Sequence, residues 1–202
     1  MIFLKSLPAD PLGRLFSTVA YARQIIFSEE ENALHAIDQV SAIHKNVEKN
    51  RGAKTPDWAH RDVLFLLIGY SISSYELLYR RLSDEEKTEI FDVFYRVGLR
   101  MKLAGLSKTF REWEAMREAH LQENPANSSF TADLYLQYKK HLGRARFALL
   151  KQVQLQLVPV TVKKSLPIGG IPWLIPLLWL YKPFRYMKLD AMLKNILLPP
   201  GV

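Results

Sequence analysis

The sequence contains no cysteine. This absence excludes disulfides, thiolate metal ligands and a cysteine nucleophile, and it fits a reducing compartment. The chain also lacks the GxGxxG, GxxxxGK[ST], GxSxG and HExxH patterns. Dinucleotide-binding, P-loop, α/β-hydrolase and zincin-type sites are therefore not supported by any motif. No known nucleic-acid-binding motif accompanies the net charge of +8, so the sequence predicts no nucleic-acid partner.

Long hydrophobic runs are missing as well. The most apolar stretch, residues 168–181, contains Pro172 and Pro176 and is too short for a confident membrane span. Two interpretations remain open for it. One is a core segment, and the other is an interfacial segment whose basic and aromatic rim is residues 182–188, giving peripheral membrane contact through residues 168–187. Because the N-terminus also lacks a signal-peptide pattern, the sequence predicts a cytoplasmic protein, with attachment to a membrane surface as the alternative.

What the chain does contain is helical periodicity over nearly its whole length, with no alternating strand pattern and no internal repeat. With 202 residues and 49% hydrophobic residues, it is long and apolar enough for one core. The pattern predicts an all-α, single-domain bundle of about seven to nine helices over residues 1–202. Prolines divide the hydrophobic C-terminal segment, residues 168–202, into short pieces.

Capping residues and glycine mark the predicted helix boundaries. The first helix is expected from Pro11 or Leu12 to Phe27, with Asp10 as its N-cap. Capping boxes predict helix starts at Ser28 and Ser83, and Thr109 with Glu112 predicts another. Gly143 is expected to break the helical stretch from Thr131 to Val158, and a final helix is predicted from Phe184 to Leu198.

Three residues of the first two helices form the main candidate site. Arg14 precedes Thr18 by one helical turn, so both side chains share a face. His44 follows thirty residues after Arg14, within an apolar stripe at helical spacing, which predicts that it faces the core. Two interpretations stay open for His44, a neutral core histidine or an axial ligand of haem iron. Two interpretations are also open for Arg14 and Thr18. They could form a buried polar pair, with Arg14 pairing with an acidic group such as Asp62, or they could belong to a haem pocket.

A weaker candidate is the pair His60 and Asp62 at the start of the third helix. Two ligands are fewer than the three or four that protein metal sites use. A non-haem metal hydrolase is therefore only a minor alternative.

Several segments taken together resemble the MpaB and rubber-oxygenase family, which includes latex clearing protein. The two main ones are Arg14-Leu15-Phe16-Ser17-Thr18 and Ile43-His44-Lys45-Asn46-Val47. Others follow in register over roughly residues 10 to 160: Asp57–Asp62, Leu78–Glu86, Tyr95–Met101 and Asp133–Tyr135. The individual motifs are short, and the combination carries the resemblance.

The resemblance implies an all-α fold around a buried apolar pocket that holds haem b. It makes His44 the proximal ligand of the iron and places Arg14 and Thr18 in the haem pocket as cofactor-binding and catalytic residues. The implied activity is oxidation of a hydrophobic small molecule, such as an alkene or an isoprenoid, with dioxygen. A non-enzymatic helical binding module that meets a membrane through residues 168–181 is the alternative.

The chain departs from the family pattern before Arg14. Family members usually have further helices there, and rubber oxygenases have an acidic catalytic base. Here 13 residues precede Arg14, and Asp10 is the only acid among them. The sequence resembles a short form of the family, so no base is assigned to Asp10 and rubber cleavage itself is not predicted.

Overall fold

The structure is a computed structural model. It describes the backbone of residues 11–123, 129–163, 166 and 168–186, and the side chains of residues 19–122, 131–163, 166, 168–179 and 181. Within these ranges there are eight α-helices and no strand. The helices are α1 (Pro11–Phe27), α2 (Glu30–Arg51), α3 (Asp57–Leu78), α4 (Asp84–Arg100), α5 (Phe110–Glu123), α6 (Ser129–Leu157), α7 (Val160–Lys163) and α8 (Leu174–Tyr186). The prediction of an all-α, multi-helix chain is confirmed.

One of the two predicted capping boxes is present in the structure and the other is absent. The capping box of α4 is present, since the Glu86 amide donates to the Ser83 hydroxyl and the Ser83 amide donates to the Glu86 carboxylate. The Ser28 capping box was wrong, because α2 has Glu29 at its N-cap and no side-chain hydrogen bond there. Acidic Glu30 and Glu31 in the first turn of α2 favour that start electrostatically instead. Asp10 lies outside the described residues.

Backbone proximity divides the chain into two compact units. Unit 1 covers residues 1–72 and 82–124, and unit 2 covers residues 73–81 and 125–202. The expectation that residues 1–202 form a single domain stays a prediction. No helix within the described residues has the length and apolarity that crossing a membrane requires.

The core of unit 1 forms where α3, α4 and α5 bring aromatic and aliphatic side chains together. Its buried members are Phe65, Ile68, Ile72, Phe91 and Trp113. Gly69 of α3 lets the Arg117 side chain of α5 come close, since a Cβ there would lie 3.0 Å from the Arg117 Nε. Gly69 therefore serves the packing of α5 against α3.

Gly98 of α4 is a second point of close approach in unit 1. A Cβ on it would lie 2.8 Å from the Leu64 Cδ2 and 2.9 Å from the Leu106 Cδ1. We expect Gly98→Ala to lower the free energy of unfolding by about 1–2 kcal/mol, because the overpacking cost exceeds the helix propensity that alanine adds. Urea denaturation measures the change. Gly169→Ala is the matched control, since its Cβ would meet no atom within 4 Å, and equal stability of both variants would contradict this packing.

The core of unit 2 is built on α6 and the segment that follows it. Tyr135, Val158 and Ile168 are its buried members. Gly143 has φ 71° and ψ 176° inside α6, so the predicted break at this residue is confirmed.

The C-terminal segment differs from its prediction. Pro176 and Pro183 were expected to break it, but α8 runs through both positions. Pro176 lies in the first turn, where no intrahelical N–H bond is lost. The predicted final helix, Phe184–Leu198, lies largely outside the described residues.

Candidate functional site

The helical hairpin of α1 and α2 sets the position of the three candidate residues. The two helices pack against each other and are joined by only Ser28 and Glu29, so they run antiparallel. Arg14 lies thirteen residues before the end of α1, and His44 lies fourteen residues after the start of α2. With a rise of about 1.5 Å per residue, both stand at nearly the same height above the turn. The thirty-residue spacing therefore places the Arg14 and His44 backbones at one level of the hairpin.

His44 does not face the core as the periodicity predicted. Ala36 and Ile37 of the same stripe are buried, whereas His44 is exposed. His44 lies two turns beyond Ile37, where the same face of α2 lines a cavity in unit 1 and does not pack into the core. This is a correction, and its reason is that packing partners cover only part of the α2 stripe.

The cavity has a volume of about 810 Å³ and lies within unit 1. Its lining is contributed by α2, the start of α3, and the end of α4 with the residues that follow. The apolar members are Ala42, Leu99, Met101 and Leu103, and the polar or charged members are Asp38, Ser41, His44, Lys45, Glu48, Lys54, Asp57, His60, Arg100 and Lys102. The wall beside His44 is therefore largely charged. The buried apolar pocket implied by the resemblance stays a prediction.

His60 of α3 contacts His44 in the wall of this cavity. The two imidazole rings are 5.1 Å apart at their centroids and stand edge to face at 87°. Partial removal from water lowers the pKa of His44, and the charge of protonated His60 lowers it further against the opposing attraction of Glu48. Since a neutral imidazole is the form that binds metals, this environment keeps His44 competent as a ligand to lower pH than an ordinary histidine.

Glu48 is fixed one turn beyond His44. Its Oε1 accepts a 2.8 Å hydrogen bond from the Thr55 amide and lies 3.4 Å from the His60 Nε2. The Thr55 amide is the largest cause that lowers the pKa of Glu48, and His60 adds to it. The carboxylate therefore stays ionised and holds the His60 ring beside His44.

An ion pair ties α2 to α4 at the cavity wall. The Arg100 guanidinium donates to both carboxylate oxygens of Asp38, at 2.8 and 2.6 Å. Hydrogen bonding from Arg100 is the first cause that lowers the pKa of Asp38 below its ordinary 3.8. This two-pronged contact sets the spacing of the two helices next to the cavity.

We expect Asp38→Asn to be less stable than the wild type at neutral pH. Because the folded-state pKa of Asp38 is lowered, its stabilisation is present above pH 3.8 and is lost as the pH falls through the lowered value. Urea denaturation at pH 7, and again well below pH 3.8, measures the difference. Asp92→Asn, at an exposed site of α4, the helix that carries Arg100, is the control. A difference that persists unchanged in acid would argue against the ion pair as its source.

A family model described as "ER-bound oxygenase mpaB/B'/Rubber oxygenase, catalytic domain" matches residues 5–180. The chain belongs to this family. The match confirms the predicted family and extends beyond the residues on which the resemblance rested. Neither a curated protein nor a solved structure matches the chain significantly.

Membership of the mpaB/rubber oxygenase family makes this an oxygenase catalytic domain. Arg14 and Thr18 lie in α1, but their side chains lie outside the described part of the chain, so their cofactor-binding and catalytic roles stay predictions. The alternative that paired Arg14 with Asp62 also stays a prediction, and the Asp62 carboxylate lies 2.6 Å from the His120 Nε2.

The His60 and Asp62 pair of the minor metal hypothesis is divided between two partners. His60 contacts Glu48 and His44, whereas Asp62 contacts His120. Among the residues that the structure describes, no group of three or more histidine or acidic side chains is arranged to hold a metal ion.

Sequence reasoning missed that His60, Glu48 and Arg100 surround the His44 cavity. Glu48 was available as a signal, because it follows His44 by four residues and shares its helix face. His60 and Arg100 had no such signal, since they lie on other helices.

Proposed function

We propose that this member of the mpaB/rubber oxygenase family is a haem-b-dependent oxygenase that acts with dioxygen on a hydrophobic small molecule. His44 would hold the haem iron through its imidazole. One observation carries the proposal: the histidine at the family-like position lies in the wall of a cavity, with its pKa lowered. The family match over residues 5–180 supports the oxygenase class.

The residues around the cavity fit haem in three respects. The volume of about 810 Å³ lies within the range of about 300–1,000 Å³ that is usual for cofactor and ligand sites. His44 offers a neutral imidazole, which is a common axial ligand of haem iron. Lys45 and Lys102 line the same cavity and are cations of the type that pairs with the propionates. Because the sequence contains no cysteine, a thiolate cannot ligate the iron, and histidine ligation is favoured.

The chain's own residues would hold and orient this site. Glu48, which is held by the Thr55 amide, would fix His60, and His60 would limit the rotation of the His44 ring that it contacts. Asp38 and Arg100 keep α2 and α4 at a set distance. Haem, when bound, supplies the iron redox chemistry through which dioxygen is activated. Arg14 and Thr18 are assigned to the haem pocket because the hairpin places Arg14 at the level of His44.

The substrate is proposed to be apolar, an alkene or an isoprenoid-like molecule, because of the family resemblance. An apolar substrate gains affinity chiefly by leaving water.

A haemin titration of the full purified chain tests the proposal. We expect a Soret band that saturates at one haem per chain, followed by a shift of that band on reduction. The reduced protein should consume dioxygen in the presence of an isoprenoid alkene. A chain that takes up no added haemin, while its circular dichroism shows the expected helix content, would overturn the proposal and favour a non-enzymatic binding module.

A further inference from the structure

Arg117 of α5 holds a positive charge in a partly buried position of unit 1. A Cβ at Gly69 of α3 would lie 3.0 to 3.2 Å from the Nε, Nη2 and Cζ atoms of Arg117, so the guanidinium rests directly against α3. Its Cζ lies 5.7 Å from the centroid of the Trp113 ring, which is a cation–π distance. The Arg117 Nε is buried and has no hydrogen-bond partner among the described residues. A charged group in such a place is ordinarily paired with an opposite charge.

Two further hydrogen-bond donors accompany this guanidinium. Trp113 is only 4% exposed, and its indole Nε1 has no partner within the described part of the chain. Tyr70 of α3 is partly buried. Removal from water raises the pKa of Tyr70, and the charge of Arg117 acts against that rise, so the phenol lies within reach of this charge. Arginine and tryptophan side chains can only donate hydrogen bonds, so the group calls for an acceptor.

The acidic side chains of α3 and α5 do not supply that acceptor. The Asp62 carboxylate lies 2.6 Å from the His120 Nε2, and Glu118 accepts a 2.8 Å hydrogen bond from the Gln122 side chain. No ion pair formed among the residues that the structure describes includes Arg117. A ligand with a negative charge would satisfy both the donors and the cation.

Carbon borders these donors on α3. Leu66 precedes Gly69 by three residues and Tyr70 by four, so the three residues share one face of the helix. Leu66 is 40% exposed. On the buried side, Phe65 packs edge to face against Trp113, with 6.5 Å between the ring centroids. A ligand at Arg117 would therefore meet apolar surface next to its charged group.

We propose that Tyr70, Trp113 and Arg117 form a site, the α5 carboxylate site, for a carboxylate that carries an apolar chain, such as a medium-chain fatty acid. The two oxygens of a carboxylate match the planar N–H fork of arginine. One negative charge costs less to remove from water than the two charges of a phosphate monoester. The apolar chain would cover Leu66 and gain affinity by leaving water. None of the three residues lines the His44 cavity, so this is a second site.

Isothermal titration calorimetry of the full chain without haem tests the site, with octanoate and 1-octanol as the matched probes. We expect octanoate to bind at one site per chain and 1-octanol to bind more than about tenfold more weakly, because hydrogen bonds to an ionised acceptor are about twice as strong as neutral ones. Arg117→Met should lose this preference for the acid. Trp113→Phe should weaken octanoate binding by a smaller factor, since the ring stays and one donor is lost.

Stability separates ligand binding from a purely structural role of Arg117. Arg117→Met should unfold at no lower urea concentration than the wild type, because the variant removes an unpaired, partly buried charge. A role in packing alone predicts a less stable variant whose octanoate affinity is unchanged. If Arg117→Met folds poorly, Gly69→Ala provides a second test, since its Cβ would displace the guanidinium.

Two control variants locate the binding. Arg111→Met removes an exposed arginine of the same α5 helix and should leave octanoate affinity unchanged. Lys45→Met changes the wall of the His44 cavity and should do the same. Equal affinity of the wild type for octanoate and 1-octanol would overturn the proposal, and so would unchanged octanoate affinity in Arg117→Met. Loss of binding in Lys45→Met would also overturn it, because that result places the acid in the His44 cavity.

The titration requires neither haem nor turnover. Its failure would therefore leave the proposed oxygenase function standing, and failure of haem binding would leave the octanoate result standing.

Discussion

His44→Ala is expected to lose the Soret band that the wild-type chain acquires with haemin. Removing a residue that only supports a metal ligand costs about 10–100-fold in metal affinity, so loss of the ligand itself should cost more than about a hundredfold. The rest of the cavity wall remains in place, since His44 is exposed and packs little against the core. Absorption spectroscopy during a haemin titration measures the effect.

Two further variants distinguish ligation from a structural role of His44. His35→Ala changes an exposed histidine on the same α2 helix that does not itself line the cavity, and it should bind haem like the wild type. His44→Gly with added imidazole should regain the Soret band, because the free base can occupy the vacated position. Wild-type haem affinity in His44→Ala would refute the assignment of the axial ligand.

Phe91→Ala should cause the largest loss of stability among the substitutions considered. Phe91 is 2% exposed. It stacks on Tyr95 at 5.8 Å and meets the edge of Phe110 at 6.4 Å. Truncating a buried phenylalanine costs about 3–5 kcal/mol, through lost burial and the cavity left behind. Urea denaturation followed by circular dichroism measures the free energy of unfolding.

Val93→Ala provides the comparison for Phe91. Val93 is 41% exposed on the same α4 helix, and its truncation should change stability by less than about 0.5 kcal/mol. If Phe91→Ala fails to fold, Phe91→Leu keeps the test available with a smaller loss. The expected loss in free energy of unfolding is about 3–5 kcal/mol. A measured loss below about 1 kcal/mol for Phe91→Ala would contradict the unit 1 core described above.

The helices were accessible to sequence reasoning because their signals are local. The Ser83 capping box acts within three residues, and Gly143 breaks α6 through its own backbone angles. Ser28 shows the limit of such signals: the capping pattern was present, but the N-cap of α2 is Glu29, one residue later. A short polar pattern permits a cap without requiring one.

The family assignment also came from the sequence, because it rests on residue identities at set distances. The Arg14 to His44 distance has a structural reason in the short turn of the α1–α2 hairpin. Periodicity alone placed His44 in the core, and the structure places it at a cavity. Helical spacing shows which residues share a face of α2. It does not show how much of that face the neighbouring helices cover.

The surroundings of His44 and the outward direction of Trp179 were decided by tertiary structure. Asp38 and Arg100 are 62 residues apart in the sequence, and His60 reaches His44 from a different helix. The sequence left both a core and an interfacial interpretation open for residues 168–181, and the structure divides the run between buried Ile168 and Leu174 and exposed Ile171 and Trp179. The sequence by itself determined the helices, because their signals lie in neighbouring residues. It also determined the family and the net charge of +8, because both depend on residue identity alone. Only the folded chain decided which charges meet at the cavity and which apolar side chains stay outside, because both depend on contacts between distant residues.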